Sequence, residues 1–154
     1  MDTLTLVPAL PSEPDVQALL QTHHALMRSQ SPADSCHVLD PLELSAAGAF
    51  VLAARRQGTI LGIGALAPFA SQQGELKSMH TAAAARGQGV GRAILEALIA
   101  KAKGDGLTHL WLETGSADAF APARALYTNH GFALCAPFGT YTADPLSVFM
   151  TRTL

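Results

Sequence analysis

Three glycines stand at alternate positions directly before a helical pattern, in the run Arg86-Gly87-Gln88-Gly89-Val90-Gly91-Arg92. Glycine lets the backbone approach a ligand closely, and the free N–H groups and dipole at a helix N-terminus favour an anion. Each of the two flanking arginines could grip a phosphate. The run therefore predicts a pyrophosphate cradle; the plainer alternative is a loop whose glycines only solve a tight turn.

Two other phosphate-binding motifs fit this run poorly. A P-loop requires a lysine followed by serine or threonine after its glycines, and no such pair follows Gly91. A Rossmann fingerprint requires a third glycine where this chain has Arg92. It also follows its strand directly, whereas residues 82–85 intervene here. The sequence therefore does not favour a P-loop or dinucleotide site.

The elements that must position this run follow from hydrophobic periodicity and turn residues. The pattern predicts a mixed α/β fold in the order strand, helix, three strands, helix, strand, helix, two strands. The first helix starts at Ser12 with Pro14 in its first turn, the second covers residues 92–103, and the third begins near Pro122 and ends at Gly131. The strands are predicted over residues 3–7, 50–55, 59–67, 75–81, 108–113, 132–135 and 147–151.

The connections carry signals of their own. Residues 29–40 and 136–145 predict long loops, which often carry function. Gln57-Gly58 predicts a hairpin turn between the second and third strands. Gly62 and Gly64 either weaken the third strand or mark a close approach of its backbone to a neighbouring element.

Composition limits the class of protein. The chain has 154 residues, which suits one domain over residues 1–154, and 49% of them are hydrophobic, which is enough for a core. The formal net charge is −2 and no basic run exists, which argues against binding nucleic acid or an anionic membrane surface. Only 14% of the residues are charged, which suggests that a second copy covers part of the surface, as in a homodimer.

Targeting signals and cysteines indicate the cytoplasm. No stretch approaches the ~20 apolar residues of a membrane helix, and Asp2 stands where a secretory signal would be basic. Cys36 and Cys135 lie far apart, so buried thiols are expected rather than a disulfide. The histidines show no His-x-x-x-His pairing, so no metal site is predicted.

Two spaced motifs resemble one enzyme family. Arg86-x-x-Gly89-x-Gly91 resembles the acetyl-CoA signature of the GNAT N-acetyltransferase superfamily, and Ala123-x-x-Leu126-Tyr127-x-x-x-Gly131-Phe132 resembles its second signature, at the usual distance. The element order is also that of the family, so the resemblance covers nearly the whole chain. Further segments resemble a small bacterial branch with PaiA- or YsnE-like members. These segments are residues 74–79, 112–115, 137–139 and 144–150.

The resemblance implies a mostly antiparallel central sheet flanked by helices and splayed between its fourth and fifth strands. Acetyl-CoA would be the acyl donor, its pantetheine arm pairing with backbone in the gap, where the N–H of Met79 or His80 would polarise the acetyl carbonyl. The donor-binding residues implied are Met79, His80, Thr81, Arg86, Gly87, Gln88, Gly89, Val90, Gly91, Arg92, Ala123 and Tyr127. The chain departs from the family at Ala83, where proline is frequent, and at Phe120, where asparagine usually supplies a polar contact to the donor.

The reaction implied is direct attack of an amine on the thioester in a ternary complex. Tyr127 matches the family's general acid: with an ordinary pKa near 10, above that of a thiol near 8.5, its hydroxyl is protonated at neutral pH and can donate a proton to the departing thiolate. Its alternative role is aromatic packing on a helix. Glu75 is the first candidate for the base, because strand alternation places it on the same face as Lys77, Met79 and Thr81, opposite His80. The alternative for Glu75 is a solvated carboxylate.

The acceptor is expected to be a small primary amine or a peptide amine. Its pocket should form from the first helix and the loops over residues 29–40 and 136–145, with His37, Glu113 and Tyr141 as candidate contacts. Glu113 is also the second candidate for the base. A non-catalytic acyl-CoA-binding or sensing module on the same fold is the alternative function, and Tyr127 beside a complete glycine run favours the enzyme.

Overall fold

The computed structural model describes residues 3–30 and 37–154, which form a mixed α/β structure. None of the helices within these ranges is both long and apolar enough to span a membrane. Cys36 and the middle of the predicted loop over residues 29–40, residues 31–36, lie outside the described residues. The helices are α1 (Pro14–Gln30), α2 (Pro41–Ala46), α3 (Val90–Gly104) and α4 (Ala121–Asn129). The strands are β1 (Thr5–Ala9), β2 (Phe50–Arg56), β3 (Thr59–Pro68), β4 (Gln73–Thr81), β5 (His109–Gly115), β6 (Ala133–Leu134) and β7 (Ser147–Thr153).

The strands form one sheet in the order β1-β2-β3-β4-β5-β7-β6. Neighbouring strands are antiparallel except β4 and β5, which are parallel. The β4–β5 ladder runs only from the pair Gln73–His109 to the pair Glu75–Trp111, and beyond it these strands share no pairing within the described chain. The structure confirms the predicted fold class, including the splay between the fourth and fifth strands.

The two faces of the sheet carry separate apolar layers. α3, α4 and one side of the central strands form the larger layer, which includes Leu76, Ile94, Leu98 and Leu112. α1 and α2 pack on the opposite face, where Val16 and Leu20 meet residues of β2 and β3. The sheet is therefore covered on both faces, and the gap between β4 and β5 opens within it.

Gly62 and Gly64 let α3 lie directly on β3. A Cβ at Gly64 would stand 2.6 Å from Ile94 Cγ2 and 2.6 Å from Met79 Sδ, and one at Gly62 would stand 2.7 Å from Val90 Cγ1. Contacts this short leave no room for a side chain, because folded interiors are already close-packed. Of the two meanings predicted for these glycines, close approach is therefore the correct one.

A β-bulge in β4 overturns the predicted alternation of its side chains. Ile63 pairs with His80 but Ala65 pairs with Lys77, so β4 carries one extra residue at Ser78, whose φ is +56°. Each residue beyond a bulge faces the opposite side from the one that simple alternation predicts. Met79 consequently packs into the α3 layer, whereas His80 contacts α1. The expectation that Glu75 shares a face with Met79 and Thr81, opposite His80, was wrong.

The N-terminal connections also differ from prediction. α1 continues through Gln30, so Ser29 and Gln30 are helical rather than part of a loop. The short helix α2 was not predicted, although the sequence contained its signal. Asp40 and Glu43 form a capping box, in which Asp40 Oδ1 accepts from the Glu43 N–H at 2.8 Å, and Pro41 occupies the first turn.

Replacing Gly64 by alanine should destabilise the fold. The new methyl group would overlap Ile94 and Met79 in a close-packed layer, so we expect a loss of about 1–3 kcal/mol in unfolding free energy. The control is Gly104→Ala at the end of α3, where a Cβ meets nothing within 4 Å and a gain of up to about 1 kcal/mol is expected. Urea titration monitored by circular dichroism measures both, and equal effects would refute the close approach.

Candidate functional site

A cavity of about 830 Å³ opens where β4 and β5 separate. Its walls come from β4 and β5, the segment leading into α3, the first turn of α3, the inner face of α4, the end of α1, and Tyr141 in the last long loop. The cavity thus joins both layers of the fold through the gap in the sheet. A volume of this size is typical of a small-molecule site.

The cavity brings together nearly all the predicted site residues. Those that line it are Glu75, Met79, His80, Thr81, Arg86, Gly87, Gly89, Val90, Gly91, Arg92, Ala123, Tyr127, His37, Glu113 and Tyr141. Gln88 does not line it: its Oε1 accepts a hydrogen bond from Arg56 Nη1 at 2.9 Å, and its Nε2 donates to Ala84 O. Only the backbone of Gln88 can belong to a cradle.

The glycine run adopts the geometry of an anion site. Gly87 and Gly89 have φ of +77° and +80°, which residues with a Cβ rarely adopt, and Gly89 is the N-cap of α3. A Cβ built on either glycine meets no atom within 4 Å, so the space above both is open. Since the first turn of α3 contains no acidic residue and Arg86 and Arg92 flank it, this end of the cavity suits an anionic group such as a phosphate.

Tyr127 faces inward from α4, where its side chain is 6% exposed and its ring packs edge-on against Phe132. Burial, and then the neighbouring Glu113 carboxylate, raise the pKa of Tyr127 above its ordinary value. Both causes penalise the phenolate, so the hydroxyl stays protonated at neutral pH. Tyr127 therefore satisfies the chemical requirement for a proton donor.

Phe120 stands at the position where asparagine is expected from the resemblance, and its aromatic ring occupies that part of the cavity wall. The ring lies against Gly115 at the end of β5, so close that a Cβ on this glycine would stand 2.2 Å from Phe120 Cδ2. Arg124 fixes the same turn by donating from Nη1 to Gly115 O at 2.7 Å and to Ala117 O at 2.9 Å. This wall of the cavity is apolar where a polar contact was lost.

Glu75, Lys77 and Tyr141 form a closed network at the other end of the cavity. Glu75 Oε2 accepts hydrogen bonds from Lys77 Nζ at 2.9 Å and from the Tyr141 hydroxyl at 2.5 Å, and Lys77 Nζ also donates to the Tyr141 hydroxyl at 2.9 Å. The Glu75 and Lys77 side chains are each 13% exposed. Burial, then the Glu75 carboxylate, raise the pKa of Tyr141. A carboxylate already paired in this way is poorly placed to take a proton.

Glu113 on β5 is the carboxyl group of the cavity whose pKa is raised toward neutral pH. Burial raises its pKa from the ordinary 4.5 to about 7, and the negative charges of Glu75 and Asp144 act in the same direction. The Ser147 hydroxyl and the Lys77 ammonium lower the pKa and only partly offset the burial. Glu113 can therefore exchange a proton near neutral pH.

Aromatic rings surround Tyr141, which lines this end of the cavity together with His37. The Tyr141 ring lies 4.9 Å from His37, 5.0 Å from Phe138 and 5.5 Å from Phe149, measured between ring centroids. Leu26 and Met27, on the last turns of α1, face the same space. The elements expected to build the acceptor pocket thus surround this part of the cavity.

Sequence reasoning missed a histidine pair that joins α1 to β4. The Nδ1 atoms of His23 and His80 lie 3.0 Å apart, so one ring donates and the other accepts. Burial lowers the pKa of His23 to about 3, and burial followed by the Arg86 charge lowers that of His80. Both rings are therefore neutral. His23 lies one turn beyond Leu19 and Leu20 on the buried stripe of α1, a spacing that could have revealed it.

Comparison with known proteins identifies the family. Residues 16–132 match the acetyltransferase (GNAT) family. The chain is 39% identical over 139 residues to the uncharacterized N-acetyltransferase YsnE of Bacillus subtilis, covering 90% of this chain and 92% of that protein. It is 38% identical over 155 residues to the IAA acetyltransferase of Azospirillum brasilense, covering 100% of both.

Solved structures give the same fold. A proposed acyl-CoA N-acyltransferase from Klebsiella pneumoniae superposes with a TM-score of 0.79 at 33% identity, covering 99% of this chain and 98% of that one. A GNAT family acetyltransferase from Elizabethkingia anophelis, solved with acetyl-CoA bound, has a TM-score of 0.72 at 20% identity over 100% of both chains. The second likeness concerns the fold alone.

Glu113→Gln should stabilise the protein in a pH-dependent way. Because the pKa of Glu113 is higher in the folded chain than the ordinary 4.5, the wild type loses stability as pH rises from about 4.5 to about 7. We expect the variant to gain on the order of 2 kcal/mol over wild type at pH 8 and almost nothing at pH 4. Urea unfolding across this range measures the difference. Glu96→Gln, an exposed carboxylate on α3, is the control, and a pH-independent difference for Glu113→Gln would contradict the shifted pKa.

Proposed function

Because this chain belongs to the acetyltransferase (GNAT) family, we propose that it transfers the acetyl group of acetyl-CoA to a primary amine of a small molecule or peptide. That the chain is an acyltransferase follows from the family and its relatives. The donor-binding and catalytic residues, and the amine acceptor, are our assignments. One observation carries them: a buried, protonated Tyr127, a Glu113 with a pKa of about 7 and an open glycine cradle line a single cavity.

The glycine run would hold the diphosphate of the donor. The N–H groups of residues 87–91 stand at the start of α3, the glycines leave the space above them open, and Arg86 and Arg92 supply positive charge. The pantetheine arm would run along Met79 to Thr81 on β4, where the separation from β5 leaves backbone groups unpaired by the neighbouring strand. Ala123 and Tyr127 on α4 would line its other side.

Proton transfers at the two sides of the reacting carbon are assigned to Glu113 and Tyr127. The donor supplies an activated thioester, whose carbonyl carbon the amine nitrogen attacks and whose carbon–sulfur bond then breaks. Glu113 accepts the proton lost by the amine, and Tyr127 donates its hydroxyl proton to the departing sulfur. The products are the N-acetyl compound and coenzyme A with a free thiol. The Glu113 carboxylate contributes to the raised pKa of Tyr127, which supports placing the two groups in one reaction site.

We assign the base to Glu113 rather than to Glu75, the first candidate from the sequence. A general base works best with a pKa near the operating pH, which burial provides for Glu113. Glu75 is held by Lys77 and by the Tyr141 hydroxyl, so its role is to fix the acceptor end of the cavity and to contribute to the field at Glu113.

The acceptor would lie between α1 and the loop that carries Tyr141. The surfaces there are the apolar side chains of Leu26 and Met27, the rings of Tyr141 and His37, and the carboxylate of Glu113. A cationic amine on an apolar or aromatic body fits this combination. Since the Azospirillum relative is named for IAA, that compound belongs in the panel of acceptors tested.

We further propose that residues 1–154 act as one domain, in the cytoplasm, as a homodimer. The low charged fraction of 14% supports an associated surface, and Leu134 on the edge strand β6 is 75% exposed. Light scattering measures the mass of the protein in solution. A monomeric mass at micromolar concentration would contradict the proposed homodimer.

Gly89→Ala should abolish most of the affinity for acetyl-CoA. Its Cβ would enter the open space at the start of α3. Gly48→Ala is the matched control, because Gly48 also has a positive φ, of +70°, with nothing within 4 Å, but does not line the cavity. Both variants should lose about 1–2 kcal/mol of stability from the strained backbone. Calorimetry should show at least a tenfold weaker Kd for Gly89→Ala alone, and a normal Kd would refute the cradle.

Kinetics of Tyr127→Phe and Glu113→Gln test the assigned roles. We expect each to lower kcat by about 10²- to 10⁴-fold, while the Kd for acetyl-CoA changes little. Glu113→Gln should also remove the rise of kcat/KM with pH around 7, which Glu75→Gln should retain at a smaller loss of rate. An unchanged kcat for Tyr127→Phe at saturating substrate would contradict its assignment as the general acid. Loss of the pH dependence in Glu75→Gln would indicate that Glu75, and not Glu113, is the base.

Acetyl transfer is tested by measuring release of the coenzyme A thiol from acetyl-CoA in the presence of a panel of candidate acceptors. The panel comprises polyamines, amino acids, aromatic amines, peptides with free N-termini, and IAA. Amine-dependent release, absent in Tyr127→Phe, is expected. Tight binding of acetyl-CoA without turnover over the whole panel would favour the non-catalytic sensing module instead.

A further inference from the structure

A largely buried ion pair, Glu75 with Lys77, lines the cavity. The two side chains are each 13% exposed, and Lys77 Nζ lies 2.9 Å from Glu75 Oε2. Taking two charges out of water is costly, and their mutual attraction often does no more than offset that cost, so such a pair is weak evidence for stability. Its position in the cavity wall makes a bound ligand the other partner on which these charges can act.

Lys77 is the lysine of the acceptor end, the part of the cavity that Glu75, Lys77 and Tyr141 line. Of the described lysines and arginines, only Lys77, Arg86 and Arg92 line the cavity, and both arginines belong to the glycine run. Lys77 Nζ donates to Glu75 Oε2 and to the Tyr141 hydroxyl, each at 2.9 Å. The ammonium group that could bind an anionic ligand at this end is therefore already neutralised by its neighbour.

The charge that remains at the acceptor end is negative. Glu113 lines the same cavity, and the negative charges of Glu75 and Asp144 both act on it. Because Lys77 offsets Glu75, an ionised Glu113 leaves an excess of negative charge there. Water and salt screen largely buried charges only weakly. The acceptor end therefore attracts a cation and repels an anion.

The Tyr141 ring provides an apolar surface beside these charges. Its hydroxyl is fixed by the hydrogen bonds to Glu75 and Lys77, and Phe138 and Phe149 pack against the ring with centroids 5.0 Å and 5.5 Å away. A ring held in this way is pre-organised, so a ligand can pack on it without having to immobilise it. An acceptor with an apolar or aromatic body suits this surface.

An α-amino acid fits the acceptor end poorly. Its carboxyl group and its amine nitrogen are attached to the same carbon, so an amine that reaches Glu113 brings its own carboxylate close to Glu113 as well. Neighbouring carboxylates repel each other, and Lys77 cannot compensate without breaking its pair with Glu75. Since a site selects ligands partly through groups that repel the wrong one, the acceptor end selects against amino acids.

We propose that Glu75, by neutralising Lys77, makes the cavity select amines that have an apolar or aromatic body and no carboxylate beside the nitrogen. The proposal rests on the proposed function, since it assumes that the amine lies beside Glu113. Glu75 is then a specificity-determining residue rather than a participant in proton transfer. The acceptor class is narrowed to alkyl- and arylalkylamines, and to amides or peptides in which the α-carboxyl group is blocked.

Phenethylamine and phenylalanine test the selection, because they share the ring and the primary amine and differ by the carboxylate. We expect the wild type to have a kcat/KM about tenfold or more higher for phenethylamine, with most of the difference in KM. Calorimetry in the presence of coenzyme A should show the same preference in Kd, which measures the selection independently of turnover. Equal values for the two compounds, or failure of both to bind, would overturn the proposal.

The two members of the ion pair should change this preference in opposite directions. Glu75→Gln leaves Lys77 without its counter-charge, so the carboxylate of phenylalanine gains a partner and the preference should fall about tenfold. Lys77→Gln leaves Glu75 unneutralised, so the preference should rise. A merely structural role would weaken both compounds alike and leave their ratio unchanged. Glu96→Gln, an exposed carboxylate on α3, is the control at saturating acetyl-CoA.

The outcomes separate this selection from the proposed function. A preference that stays unchanged in Glu75→Gln, or that moves in the same direction in both variants, overturns the role of Glu75. If Glu75→Gln does not fold, the expected rise in Lys77→Gln is the test, and its absence overturns the role equally. Preferential binding of phenethylamine without thiol release from any amine would support the selection and overturn the proposed acetyl transfer.

Discussion

The contact of α3 with the glycines of β3 is the constraint on which the rest of the site depends. With side chains at Gly62 and Gly64 the helix would stand further from the sheet, because Val90, Ile94 and Met79 already occupy that space. The contact begins at Val90, the first residue of the helix, so it also fixes where the N-terminus of α3 points. A close-packed apolar layer thus sets the direction of the helix N-terminus at its edge.

The gap in the sheet turns this anion site into a cleft with two sides. β4 and β5 pair over three residues and then separate, which leaves room for an extended molecule between parallel strands. The bulge at Ser78 divides the wall of β4: Met79 faces the α3 layer, while Lys77 and His80 face α1. The cleft therefore has walls on both faces of the sheet.

Burial controls the protonation of the groups at that point. It raises the pKa of Glu113 to about 7 and keeps Tyr127 protonated, so a carboxyl group that titrates near neutral pH and a neutral phenol line the same cavity. Lys77, paired with Glu75, places one positive charge near Glu113 and prevents a larger shift. The cavity brings together a largely buried carboxylate, Glu113, and a serine with a left-handed backbone conformation, Ser78.

The sequence by itself determined the order of the elements, the glycine run, the hairpin turn at Gln57-Gly58 and the place of Tyr127 on a helix. These features depend on local periodicity and on the φ of single residues, which are encoded within a few positions. The capping box at Asp40 was equally local, and α2 could have been predicted from it. The family signatures depend on such local spacing as well.

Only the tertiary structure decided which side chains share a face beyond Ser78 and which carboxyl group has a pKa near 7. A bulge adds one residue to a strand because of how the strand pairs with its neighbour, and alternation along a single sequence cannot reveal it. The pKa of Glu113 depends on burial and on charged or polar groups contributed by β4, β7 and the last long loop. Interactions between residues so distant in sequence exist only once the chain has folded.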